Sequence, residues 1–345
     1  MKNRFALMFG IPGVLVSLAA FAHHSRSNFD LDTVVEVQGV VKEFSWVNPH
    51  SYVVVEAADE SGNPVEWTFE LNSTPVLKRF GWNSKSLAVG DRVLATGNPD
   101  RDANRRFIYA NLFRKSDGTE IWSWGGPQVS PVVAATEGSS DFSGVWRIEF
   151  ERDVLGADRP DDVLTTDLPV TAKGQAEIDA FDPDANPEWD CKPETMPTIL
   201  GFPYPFEIVR ESDGRMRLRY EVNNLERIVH LDQTAVPDDA PRTPLGYSIG
   251  RIDGRVLTIE TGRFAHVVWG AGKGVDSGER KQTIERYSLS DDGKFLDLEF
   301  VMQDPEYLSG PVTVRHRYDL TAGYTLQDYT CDPATARRHL TAGEN

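Results

Sequence analysis

Three histidines near the start of the chain are the residues best suited to chemistry: His23, His24 and His50. If processing removes residues 1–22, His23 becomes the terminal residue, and its α-amine and imidazole form a chelate on a single residue. A third nitrogen would complete a T-shaped set of the histidine-brace type, which suits the tetragonal nitrogen preference of Cu(II). An α-amine titrates near about 7.7 and an imidazole near about 6.5, so both ligands shed their protons near neutral pH at little cost. His50, in Trp46-Val47-Asn48-Pro49-His50, is the natural third ligand, and His24 is the other candidate. The bland alternative stays open: a terminal histidine on a solvated end, and a His50 that caps a turn or packs on Trp46.

The elements around these residues set the terms. Lys2 and Arg4 precede an apolar stretch from Phe5 to Ala19, and Ala20-Phe21-Ala22 has the small-x-small form of a cleavage site. That pattern predicts a secretory signal over residues 1–22 and a periplasmic or secreted protein. A membrane anchor is the competing reading, but the run is about 15 residues where about 20 are needed, and Pro12 and Gly13 interrupt it. No later stretch approaches that length, so no membrane span is expected. The two cysteines, Cys191 and Cys331, follow the signal and sit in loop-like contexts, so an oxidising compartment would let them pair as a disulfide. Two separate thiols are the alternative.

The chain has 345 residues, with 36 Lys plus Arg against 53 Asp plus Glu and a formal charge of −17. Loss of Lys2 and Arg4 with the signal makes it two units more negative. Such a balance disfavours nucleic acid as the main partner. With 40% hydrophobic residues, 28 Gly and 21 Pro, the composition fits a folded, turn-rich β protein.

Strand-like runs at Val34–Val41, Tyr52–Ala57, Val65–Leu71, Arg92–Gly97 and Phe107–Phe113, with a short helix near Leu77–Phe80 between the third and fourth, give the order of an OB-like small barrel. Residues 23–129 are read as this domain, 130–140 as a linker, and 141–345 as a larger antiparallel β domain, a lipocalin-like barrel or a sandwich. A helix is expected at Thr171–Ala180. Nine alternating segments follow, at Phe206–Arg210, Met216–Val222, Arg227–Asp232, Tyr247–Ile252, Val256–Thr261, Thr283–Leu289, Phe295–Met302, Val312–Leu320 and Tyr324–Thr330. The fold class is therefore all-β. Gly144-x-Trp146 and the eight tryptophans point to an internal cavity only if they line it rather than fill it.

The start Ala22-His23-His24-Ser25, then Phe29-Asp30, Gly39-Val40-Val41, Trp46-x-Asn48-Pro49-His50, Gly81-Trp82 and Gly90-Asp91-Arg92-Val93, resembles a family of secreted bacterial proteins of unknown function, over roughly residues 20–122. The resemblance implies an extracytoplasmic setting and a small β domain, and no reaction. Pro203 to Ile208, Gly246 to Arg251 and Asp253 to Leu257 are similar to uncharacterised secreted proteins that often carry a His where Tyr247 stands.

Other motifs fail. Asp182-x-Asp184-x-Asn186 and Asp100-x-Asp102-x-Asn104 begin like calcium loops but have Pro187 and Arg105 at the position that needs Gly. Gly270 to Gly274 lacks the spacing of a phosphate loop. No hydrolase or nucleotide-binding motif is found, and His230, His266, His316 and His339 read as structural. Arg315 and Arg317 share one strand face, with His316 on the other. The expected function is a binding protein that holds copper through His23 with His50 or His24. One alternative is a carrier of an apolar small molecule in the larger barrel. Another is an oxidative enzyme using the same copper. Protein partners are not legible.

Overall fold

The computed structural model describes residues 29–128, 133–148, 168–272 and 274–341. His23 and His24 lie outside the described residues. In the first unit, β1 (Val35–Ser45), β2 (Tyr52–Ala58), β3 (Pro64–Glu70), β4 (Arg92–Pro99) and β5 (Phe107–Lys115) pair in the order β3-β2-β1-β4-β5, and a parallel β3–β5 pairing closes the ring. The short β6 (Glu120–Trp122) adds to β5. This is the OB-like order expected from the sequence. The strands form because their apolar residues alternate, and Val37, Val41, Val53, Val55, Phe69 and Phe113 bury inward. Gly39 is required by space: a Cβ there would lie 2.2 Å from the carbonyl oxygen of Glu56 on β2.

Between β3 and β4 the helix α1 (Thr74–Arg79) closes one end, with Leu77 buried in the barrel core. Each such buried Leu or Phe contributes about 1.5–3 kcal/mol relative to exposure. The helix has an unusual cap. Ser73 makes no side-chain cap bond, and the Thr74 N–H instead donates to Oδ1 of Asn48 at 2.8 Å. A loop asparagine thus satisfies one of the orphan donors of the first turn.

The second unit is a closed nine-strand barrel. In chain order its strands are β7 (Gly144–Ile148), β8 (Phe206–Arg210), β9 (Arg215–Tyr220), β10 (Glu226–His230), β11 (Tyr247–Asp253), β12 (Val256–Gly262), β15 (Gln282–Leu289), β16 (Phe295–Gln303) and β17 (Val312–Leu320). The hairpin β13 (Val267–Gly272) and β14 (Val275–Ser277) stands outside the ring. All neighbours are antiparallel except β10 and β11. Helix α2 (Ala172–Asp179) begins at Thr171, whose hydroxyl accepts from the Gly174 N–H, matching the expected helix.

One expected strand is absent. Tyr324–Thr330 carries no ladder, and the ninth strand is β7, the Gly144-x-Trp146 segment. Polar groups of residues 324–330 instead link the two units. The Tyr324 hydroxyl and the Gln327 N–H donate to Glu221 Oε2 at 2.7 and 2.9 Å, and Lys78 Nζ donates to Gln327 Oε1 at 3.3 Å. Among the described residues, no helix is long and apolar enough to cross a membrane.

Candidate functional site

The loop Trp46–His50 ends at the start of β2, and two of its residues fix it differently. Asn48 is fully buried. Its Nδ2 donates to Thr74 Oγ1 and to the Thr330 carbonyl, both at 3.1 Å, while its own N–H also donates to Thr330 O. The Asp332 N–H donates back to the Asn48 carbonyl at 3.3 Å. One asparagine therefore ties the first barrel, helix α1 and the C-terminal tail together. The Asn48–Pro49 peptide is cis.

Two residues on, His50 is half-buried, and its Nδ1 lies 2.7 Å from Glu70 Oε1. Glu70, on β3, is buried and pairs across the ladder with Tyr52 and with Tyr109. Burial works against an imidazolium here, but the adjacent Glu70 carboxylate and the more distant Glu188 outweigh it and hold His50 above the usual histidine range. A carboxylate on Nδ1 fixes the ring's orientation and leaves Nε2 as the free nitrogen. Sequence reasoning singled out His50 but missed Glu70, twenty residues away.

The tail beside this loop is covalently held. Cys191 and Cys331 form a disulfide with Cα atoms 5.8 Å apart and 140 residues between them in sequence. Asn186 caps the short helical turn Pro187–Asp190, its Oδ1 accepting from the Glu188 N–H at 3.0 Å. Beyond the disulfide, burial and the neighbouring Glu188 push Glu194 well above the usual carboxylate range. The junction also contains a buried ion pair, Arg79 with Glu221 at 3.3 Å. Burial raises Glu221, and Arg79 pulls it back.

A second polar group lies where the sequence reading foresaw only a cavity or a core. Inside the larger barrel, Arg227 and Glu285 pair at 2.7 Å with side chains 2% and 0% exposed. Arg227 also donates to Ser248 Oγ and Thr261 Oγ1, and Tyr287 donates to Glu285 Oε2 at 2.9 Å. Lys281 is buried, its Nζ donating to the carbonyls of Met196 and Gly270 at 2.5 and 2.8 Å. Burial lowers its ammonium to about 7, with Asp304 pulling the other way. The signal was in the sequence: along Lys281–Leu289 the buried set is Lys281, Thr283, Glu285, Tyr287 and Leu289, while Ile284 faces solvent. Two charged residues, Lys281 and Glu285, on the buried side depart from the usual pattern for a half-buried strand.

His230, His266, Arg315 and Arg317 have local partners. His230 stacks on Tyr247 at 4.6 Å, and His266 pairs with Asp276 at 2.9 Å. Arg315 and Arg317 bind Glu299 and Asp297 on β16. Among the described residues, no group of three or more His, Cys, Asp or Glu is arranged to hold a metal ion.

Residues 13–109 match the model of a family described as "Family of unknown function (DUF6152)". The expected resemblance to a family of unknown function is borne out over that stretch, which includes Asn48, His50 and Glu70. No curated protein matches the chain. Among solved structures, the wild-type crystal structure of the fluorescent protein UnaG is similar to 52% of this chain and 96% of its own, at 14% identity and a TM-score of 0.23. A mutant of UnaG is similar over the same shares at 11% identity and the same TM-score.

Proposed function

We propose that the protein is a periplasmic or secreted copper-binding protein in which His50 and the amine and imidazole of a terminal His23 hold Cu(II), with His24 as the alternative third ligand. The observation that carries this reading is the Glu70 carboxylate on His50 Nδ1, the arrangement that orients a ligating imidazole and raises its basicity. Chain reach supports it. Phe29 bridges to Asp100 and its ring lies 5.6 Å from Tyr109, the residue paired with Glu70. Five residues lie between His23 and Phe29, and the six steps along the chain span up to about 20 Å. The Cys191–Cys331 disulfide supports an oxidising compartment.

Native mass spectrometry of protein exported from its own signal, titrated with Cu(II), tests this directly. The expected result is a chain starting at His23 that takes one copper and loses it when His50 becomes Ala or when an extra Met precedes His23. A chain that starts elsewhere, or that starts at His23 and takes no copper, overturns it.

A second reading is favoured by a separate observation. Lys281, Thr283 and Tyr318 add buried polar positions to an interior that also holds the Arg227–Glu285 pair among apolar walls, and Thr283 Oγ1 is buried without a hydrogen-bond partner. A few convergent polar groups among apolar walls are what a carrier of an apolar small molecule uses to fix its ligand.

A further inference from the structure

We infer that the interior of the larger barrel is a ligand site held shut by the chain's own Thr195–Gly201 segment. Its ligand is an elongated apolar molecule bearing neutral carbonyl oxygens, a ketone or ester, where two backbone carbonyls of that segment now lie. This rests on the carrier reading and deepens it.

The segment belongs to no sheet of the ring, yet it occupies the ring's core. Met196, Ile199 and Leu200 are 0%, 4% and 2% exposed and join the same apolar cluster as Trp146, Phe206, Tyr287 and Phe300. Its internal order is one short turn, Thr198–Leu200, and prolines at 193, 197, 203 and 205 keep it from continuing any ladder. Arg227 donates to Met196 Sδ at 3.7 Å, and the Thr195 hydroxyl donates to Pro244 O at 2.6 Å. Two of the segment's carbonyls accept from side-chain donors: Met196 O accepts from Lys281 Nζ at 2.5 Å, and Leu200 O accepts from Tyr318 Oη at 2.8 Å. A ligand oxygen can meet each donor in the same way. Two residues from Lys281, on the buried face of β15, Thr283 is 2% exposed and its hydroxyl has no partner, so one polar position is unfilled by the segment itself. A buried hydroxyl left unmade costs free energy that a ligand acceptor would recover.

The same wall selects against charge. Both oxygens of Glu285 are engaged by Arg227, and one also by Tyr287, so the guanidinium charge is already matched. Lys281, the other buried cation, meets two neutral carbonyls with its ammonium lowered to about 7 by burial, so a neutral ligand oxygen replaces Met196 O like for like, whereas a carboxylate above that pH must also draw a proton onto Lys281. The segment also has fixed ends, the disulfide at Cys191 and strand β8 from Phe206, so it swings out between anchors without losing its return path.

Amide hydrogen exchange of the full processed chain, with and without a long-chain dialkyl ketone and with the fatty acid of equal length, decides it. The expected result is one ketone per chain, exchange across 195–201 faster by about tenfold or more, and binding at least about tenfold tighter than the acid. Thr283→Val and Tyr318→Phe should each weaken the ketone severalfold. Ketone bound with exchange across 195–201 unchanged overturns the closing segment and leaves the carrier reading standing. Acid bound as tightly as ketone overturns the neutral-acceptor assignment. Neither lipid bound overturns both this inference and the carrier reading.

Discussion

Glu70 Oε1 lies 2.7 Å from His50 Nδ1, and the pair joins the loop before β2 to the end of β3. The carboxylate holds the ring by one nitrogen and leaves the other for a ligand. Glu70→Gln should therefore weaken Cu(II) binding by the processed protein about 10–100-fold without abolishing it, whereas His50→Ala should remove the site. Competition against a calibrated chelator measures both. Equal affinities in wild type and Glu70→Gln would detach Glu70 from metal binding.

Asn48 ties the first barrel and helix α1 to the C-terminal tail, and its side chain cannot be replaced by an apolar one of similar size without loss. Asn48→Leu leaves the Thr74 N–H without its cap and removes the side-chain bond to Thr330 O. A loss of about 2–3 kcal/mol is expected from unmet buried groups. Urea unfolding followed by tryptophan fluorescence reads it, and an unchanged midpoint would show that water replaces these bonds.

Lys281 makes stability depend on pH in a defined direction. Its folded value, lowered to about 7, lies below the ordinary lysine value of 10.5, so the unfolded chain binds more protons between the two. Stability should rise with pH across that window, by up to about 1.4 kcal/mol per unit, and stay flat with respect to this group below it. Lys281→Met should lose that slope. Denaturant midpoints at several alkaline pH values check it, and parallel profiles for the two proteins would contradict it.

The Arg227–Glu285 pair is almost wholly withdrawn from water, so breaking one side strands the other. Arg227→Met alone should cost about 3–5 kcal/mol, while Arg227→Met combined with Glu285→Leu should cost clearly less. A double-mutant cycle of thermal or chemical stability gives the coupling directly. Additive losses would mean the two charges act independently.

Much of the architecture was legible in local pattern. Period-two alternation marked eight of the nine ring strands in the second unit, and the order of five strands around one short helix marked the first. The pattern misled at Tyr324–Thr330, which forms no ladder and whose polar groups link the two units. The candidate site was half legible. His50 stood out by residue type and by its Trp-x-Asn-Pro-His setting, but Glu70 is one acid among many until β2 and β3 are in register.

What the sequence by itself determined is which face each strand buries, because alternation is carried by neighbouring residues. It also contained the alternating run from Lys281 to Leu289, in which two charged residues, Lys281 and Glu285, fall on the buried side. Only the tertiary structure decided the partners: Glu70 for His50, Thr330 for Asn48, Arg227 for Glu285 across 58 residues, and Met196 for Lys281 across 85. The physical reason is that a hydrogen bond or ion pair needs atoms within about 3 Å. Ring closure and strand register set that proximity, and no local period encodes it.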